Sequence, residues 1–299
     1  MTLPDFLVIG AYKAGTTSLH EYLRSHPQVF VPARKEPSFL AFDQAEDPET
    51  ERRLNPAWSM AVHDLVTYER LFEPARPDQV VGEVSPEYLK HPAAPARIAA
   101  RLGQVKLVAL LRDPAERAYS DFLMYTRDGR EDTEDFSVAL DRQEQRRAAG
   151  MATGQYVTTG FYGEQLSRFY ARFAADHIKV VLSEDLRSDR DGVLAGLFEF
   201  LGVDPSVQVP PEELNRSGVP VNGAVRAAYV ARRRLAPLLR GVVPQGWKRR
   251  VDARLQQGLE RPEPPARALA RLRDIYRDDI GELERLIGRD LSGWRGSPG

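Results

Sequence analysis

The sequence predicts a three-layer α/β fold around a roughly five-stranded parallel sheet, with helical additions at the C-terminus. Three observations predict it. Short apolar runs alternate with helix-spaced segments over about the first two hundred residues, the pattern of a parallel sheet covered on both faces. The strongest runs, Phe6–Ile9 and Leu107–Leu111, are apolar throughout rather than alternating, as strands buried on both sides are. About the last eighty residues then turn helix-rich. A chain of 299 residues is long enough to bury a sizeable core as one domain. We read that single domain over 1–299, with its core at about 5–205 and its helical part at about 216–295.

The elements follow in order. Phe6–Ile9 is a strand ending at Gly10, and Thr16–Ser25 a helix with Leu19, Tyr22 and Leu23 on one face. Gln28–Val31 is a second short strand, and Val80-Val81 runs as a strand into the loop Gly82-Glu-Val-Ser-Pro86. Ala94–Leu102 is a helix, Val105–Leu111 a strand, and Pro114 opens the next helix at a favoured first-turn position. Gly163–Phe173 is helical, Ile178–Leu182 a strand, and Gly192–Leu201 helical again. Residues 40–75 and 127–158 have few apolar runs and read as mobile insertions able to wall a cleft. The three prolines of Glu260–Pro265 mark a linker, and Leu269, Leu272, Ile275, Tyr276, Leu283 and Leu286 an amphipathic helix.

Composition narrows the function. Forty-two Lys and Arg against 43 Asp and Glu give a formal charge of −1, which argues against a chain built to coat nucleic acid. Cysteine is absent, so disulfides, thiolate nucleophiles and Cys-based zinc sites are excluded. The five histidines, His20, His26, His63, His91 and His177, have no metal-ligand spacing and read as structural. No signal peptide and no transmembrane run is visible, so the expectation is a cytoplasmic protein.

Chemistry concentrates where strands end, which is where ligands sit in such sheets. Gly10-Ala-Tyr-Lys13-Ala14-Gly15-Thr16-Thr17-Ser18 follows a buried strand and opens a helix. Its glycines let backbone approach an anion, and the helix N-terminus offers free N–H groups and a favourable dipole. The Gly-x4-Gly spacing makes the fold P-loop-like, but Thr16 stands where a triphosphatase loop requires lysine. The lysine lies three residues earlier, at Lys13, and no metal-binding Asp of the usual kind ends a later strand. The loop therefore suits an anion neutralised by protein cations rather than by magnesium; the plain alternative is a tight glycine turn. The second segment is Leu111-Arg112-Asp-Pro-Ala-Glu-Arg-Ala-Tyr-Ser120. Arg112 leaves the strand as a forked cation suited to phosphate, and Ser120 follows eight residues later in the helix. Each has a plain alternative too, a salt-bridge partner and a helix-surface serine.

Together these segments resemble the sulfotransferases that use 3′-phosphoadenosine 5′-phosphosulfate (PAPS), closest in pattern to the heparan-sulfate-type branch and its bacterial relatives. Lys13-x-Gly15-Thr16-Thr17 is similar to their 5′-phosphosulfate loop, and Arg112 with Ser120 to their 3′-phosphate motif. Lys35-Glu36-Pro-Ser-Phe39 is similar to that branch's Glu-x-x-Phe-Phe segment, and Gly82-Glu83-Val-Ser-Pro86-Glu87-Tyr88 to its Glu-Lys-Thr-Pro-x-Tyr segment. The likeness spans roughly residues 5–205, with a looser echo in the closing helix and Asp290–Trp294. Two positions depart from it: Val84 stands in place of an acceptor-contacting lysine, and Ser38 in place of a histidine.

The resemblance implies PAPS as donor, no metal, and transfer of a sulfuryl group to the hydroxyl of a glycan, glycolipid or secondary metabolite. It implies that Lys13 neutralises the leaving phosphate while Ala14, Gly15, Thr16, Thr17 and Ser18 hold it, and that Arg112 and Ser120 bind the 3′-phosphate. Glu36 becomes the general-base candidate and Glu83 its competitor, with Lys35 and Glu83 placed to meet the acceptor. Tyr162 is a candidate adenine contact or a core aromatic, and Arg216 and Ser217 candidates for a loop closing over the nucleotide. From Arg216 to Arg254 there are ten Arg and Lys against one acid, Asp252. Arg232–Arg234 and Lys248–Arg250 there read as solvated helix faces, or as a contact for an anionic acceptor, a carrier protein or a membrane surface. The competing functions are a P-loop kinase or nucleotidase and a non-catalytic nucleotide-binding module.

Overall fold

The computed structural model describes residues 3–151, 154–210, 218–235, 254–255 and 257–296. At its centre is a five-stranded sheet of order β2-β3-β1-β4-β5. Its strands are β1 (Phe6–Gly10), β2 (Val29–Phe30), β3 (Val80–Val84), β4 (Lys106–Leu111) and β5 (Ile178–Leu182). All pair in parallel, with Phe6 beside Gly82 on one side and Lys106 on the other. β1 is buried along its whole length, as its unbroken apolar sequence requires. A Cβ at Gly82 would stand 2.0 Å from the Phe6 ring, so only glycine lets this phenylalanine lie across β3.

Because every strand is parallel, every crossover is long, and the strand ends that carry chemistry gather at one edge. The Thr16–Ser25 helix follows β1 and buries Leu19, Tyr22 and Leu23. The Pro114–Arg127 helix follows β4. Asp113 caps it by accepting from Ala115 N at 2.8 Å and Glu116 N at 3.2 Å, so this helix start is held by a side chain as well as by Pro114.

Both insertions are folded. The first carries the short helices Pro48–Leu54 and Leu65–Arg70, each capped by an aspartate, Asp47 and Asp64. The second carries Phe136–Asp141 and Gln143–Ala148. It is tied inward by Glu131, which accepts from Arg146 and from the Tyr156 hydroxyl, two partners that no local sequence pattern announces.

The C-terminal part packs on the core. Tyr276 and Leu283 of the Ala266–Ile287 helix are fully buried, and the Tyr276 hydroxyl donates to the Val157 carbonyl at 2.8 Å. Asp279 accepts from the Gly163 and Glu164 N–H groups, capping the Tyr162–Tyr170 helix from another part of the chain. The expected linker starts as structure: Leu259–Glu260 pairs antiparallel with Val219–Pro220. Among the described residues no helix is long and apolar enough to cross a membrane.

Candidate functional site

The loop after β1 places Lys13 and the first turn of the following helix together. Lys13 has φ +65° and Gly15 +111°, both left-handed, a conformation natural to glycine and costly for lysine. Helical bonding begins with Leu19 N donating to the Gly15 carbonyl at 3.2 Å. The N–H groups of Thr16, Thr17 and Ser18 therefore have no acceptor in the preceding turn, which is the geometry of an anion cradle. Ala14 is buried, and its N–H donates to the Ala11 carbonyl at 3.2 Å. It shapes the loop.

Lys13 Nζ lies 3.5 Å from the Met124 sulfur. Loss of water lowers its pKa to about 8; Asp121 opposes the shift, while Arg127 and Arg112 add to it. Lys35 donates to Thr17 Oγ1 at 2.6 Å and stands 3.9 Å from the Glu36 carboxylate, between the loop and that glutamate.

At the end of β4, Arg112 is buried and donates through Nη2 to Glu116 Oε2 at 3.0 Å. Its Nε has no hydrogen-bond partner. Burial lowers the Arg112 pKa, and Arg261 and Arg187 nearby reinforce the shift. Arg261 also reaches Glu116 Oε2, at 2.5 Å. Sequence reasoning missed Arg261, which stands alone among prolines and gains its place only when Leu259–Glu260 pairs with a strand some forty residues earlier. Ser120 is buried farther along the same helix. Arg112, Glu116, Arg187 and Arg289 border a hollow of about 460 Å³, closed on one side by Trp294. Trp294 is fixed by its indole N–H donating to Glu184 at 2.6 Å.

Tyr162 belongs to the core. It is buried with its ring edge-on to Trp294, 6.4 Å between centroids, and does not border that hollow. Its helix buries Leu166 and Phe169 on the same face, as the helical spacing of these side chains implies. Arg216, Ser217, the side chains of Arg232–Arg234 and Lys248–Arg250 lie outside the described residues.

A cleft of about 510 Å³ opens beside the lysine loop. Glu36 lines it, held at φ +53° with its N–H donating to the Val84 carbonyl at 3.1 Å. Its carboxylate is about one-third exposed, and Lys35 stands 3.9 Å away. Both insertions supply walls, the first through Leu54 and Met60 and the second through Arg130 and Thr158.

Glu83 has different surroundings. It is fully buried, and its carboxylate accepts from the hydroxyls of Tyr68 at 2.5 Å, Ser85 at 2.5 Å and Tyr88 at 2.6 Å. Burial pushes its pKa up, while these three donors pull it down. With every hydroxyl aimed at it from inside the protein, Glu83 organises the end of β3 and takes no place in the cleft. Glu87, four residues on, does line the cleft, with Lys90 Nζ 3.2 Å from its Oε1.

The model of the "Sulfotransferase family" matches residues 4–206. The human heparan sulfate glucosamine 3-O-sulfotransferases 3A1 and 3B1 are each 28% identical to this chain over 98% of its length. The chain spans just under two thirds of those proteins, 63% and 65%. Among solved structures, a sulfotransferase from Alicyclobacillus acidocaldarius superposes with a TM-score of 0.74 at 27% identity, covering 99% of this chain and all of that one. A mouse sulfotransferase solved with PAP (adenosine 3′,5′-bisphosphate) shares the fold at a TM-score of 0.52 and 13% identity, covering 95% of this chain and 87% of that one.

Proposed function

Because this chain belongs to the sulfotransferase family, we propose that it transfers a sulfuryl group from PAPS to an acceptor hydroxyl. One observation carries the reading: the Lys13 loop and Arg112 leave adjacent parallel strands, β1 and β4, while Glu36 faces the cleft beside them. The residues fit a nucleotide with two anionic ends. Three N–H groups and Lys13 serve one end, and Arg112, with an unpartnered buried Nε, serves the other together with Arg261. Bound there, PAPS supplies the sulfuryl group: the acceptor oxygen forms a bond to sulfur as the bond from sulfur to the 5′-phosphate oxygen breaks, and PAP leaves with that electron pair.

The chain's own tasks follow. Thr16, Thr17 and Ser18 direct N–H groups at the 5′-phosphate, and Thr17 is itself oriented by Lys35. Lys13, when protonated, balances the charge that grows on the leaving oxygen. Glu36 takes the proton of the acceptor hydroxyl, and its left-handed backbone, pinned to β3, fixes the direction from which it does so. Arg112, Ser120 and Arg261 hold the 3′-phosphate, the group that ATP lacks. A kinase reading has less support, since the lysine precedes the position such a loop requires.

The test is to incubate the protein with PAPS and a panel of hydroxyl acceptors, following PAP formation and the sulfated product by mass spectrometry. Transfer to at least one acceptor without magnesium is expected. Failure to bind PAP in calorimetry, or magnesium-dependent ATP hydrolysis in place of transfer, overturns the reading.

A further inference from the structure

The mouth of the cleft is apolar where its floor is charged. Among the described residues six large apolar side chains are left exposed, and three of them gather here: Leu54 at 36%, Met60 at 55% and Met151 at 46%. Leu54 and Met60 line the cleft itself, with Pro56 and Ala57 between them. Met151 joins the same rim from the second insertion. Its carbonyl accepts from Gln155, a lining residue, at 2.8 Å, and a Cβ on its neighbour Gly150 would stand 3.9 Å from the Leu54 side chain. Large apolar side chains left in water around a concavity mark a place where an apolar ligand binds.

This rim is built rather than loose. Arg34 donates to the Met60 carbonyl at 2.9 Å, and Val62 N donates to the Pro37 carbonyl at 2.8 Å. The segment carrying Met60 is thereby stitched to residues on both sides of Glu36. The Trp58 ring packs edge-on against Phe42, 5.1 Å between centroids, and lies 4.2 Å from the His63 ring. Met60 is exposed on a segment that its neighbours fix, beside the residue that would take the acceptor's proton.

The charges of the floor are already matched within the protein. Lys35 stands 3.9 Å from Glu36, His91 3.2 Å from Glu51, Lys90 3.2 Å from Glu87 and Arg117 3.3 Å from Asp121. The Arg130 guanidinium lies 4.5 Å from the centre of the Tyr125 ring. An uncharged head group suits such a floor, since a charge brought in finds its counter-charge engaged.

We propose that the acceptor is an uncharged amphiphile: a hydroxylated head, such as a neutral sugar, sits at Glu36, and the hydrocarbon chain attached to it leaves the cleft across Leu54, Met60 and Met151. This rests on the sulfuryl-transfer reading above and adds the acceptor's class to it. The acceptor enters the cleft that Glu36 lines, so the part of it that does not react is what covers the mouth. A polyanionic glycan would lay its sulfates against an apolar rim and find no unengaged lining cation among the described residues.

Alkyl glucosides from methyl to octyl, each below its micelle concentration, test this with PAPS as donor. Among the longer members kcat/KM is expected to rise by about two- to fourfold per methylene, fourfold being the limit of full burial. Leu54→Ser and Met60→Ser are each expected to flatten that rise. Val66 is an exposed apolar side chain of the same insertion that does not line the cleft, so Val66→Ser is expected to keep it. PAP affinity reports folding and is expected to be unchanged in all three variants. Four results overturn the amphiphile proposal and leave the donor site standing: a rate independent of chain length, a rise that survives both cleft variants, faster transfer to an N-sulfated heparan oligosaccharide than to octyl glucoside, or no transfer to any glucoside while PAP still binds. Failure of the unaltered protein to bind PAP overturns the reading beneath it.

Discussion

Arg112 and Arg261 meet on a single oxygen: both guanidinium groups donate to Glu116 Oε2, at 3.0 and 2.5 Å. They come from β4's end and from a segment about 150 residues later, and a carboxylate holds them where an anion of higher charge fits. Arg112→Ala is expected to weaken PAP binding by about ten- to a hundredfold, the scale of a lost charge-assisted hydrogen bond. Arg261→Ala should do the same to a smaller degree, because that side chain is more exposed. Glu116→Gln keeps both cations and removes the competing charge, so affinity should hold or rise. Calorimetric titration of the three variants checks this; a Glu116→Gln protein as weak as Arg112→Ala would make the carboxylate the organiser of the site.

Lys13 gives a pH dependence. Its pKa is lowered to about 8, so the free protein carries the ammonium below that pH and loses it above. A bound phosphate favours the charged form and raises the pKa again. Between those two values binding takes up a proton, and PAP affinity falls as pH rises past 8, by at most about tenfold per pH unit. Calorimetry in buffers of different ionisation enthalpy measures the proton directly. Lys13→Arg stays charged over this range and is expected to flatten the profile.

The two glutamates separate by readout. Glu36→Gln is expected to lower kcat by about 10²- to 10⁴-fold, as loss of a general base does, with PAP affinity and melting temperature unchanged. Glu83→Gln is expected to lower stability by about 1–3 kcal/mol, since an amide nitrogen would face hydroxyls that now donate. Thermal unfolding and turnover of both variants decide. A Glu36→Gln enzyme turning over normally would remove it from the proton transfer.

Arg117 sits between the reactive segments yet has a structural task. It is fully buried, with Asp121 at 3.3 Å and the Tyr156 carbonyl as its partners. Arg117→Ala strands Asp121 and is expected to cost about 3–5 kcal/mol, read as a lower urea midpoint. Unchanged stability would mean that Asp121 finds water or another cation.

Local chemistry made much of this molecule legible in its sequence. The apolar runs of β1 and β4 mark strands wherever they are placed, and Gly15 with Pro114 punctuates the two helix starts. Lys13 and Arg112 were readable because a short loop ties each to a strand end. Glu83 and Glu87 were not distinguishable, because they differ only in what surrounds them. Three hydroxyls close over the first, whereas the second lies against the cleft and is paired with Lys90. Arg261 and the fold of the two insertions depend on partners far along the chain, such as Val219 and Tyr156, which periodicity does not report.

The division between floor and walls has a practical outcome. Lys13 and Glu36 sit on backbone that few residue types tolerate, whereas Leu54, Met60 and Thr158 belong to peripheral helices and turns. A library that randomises only the peripheral positions would explore new specificities without disturbing the reactive apparatus. In that sense the scaffold comes already partitioned for directed evolution.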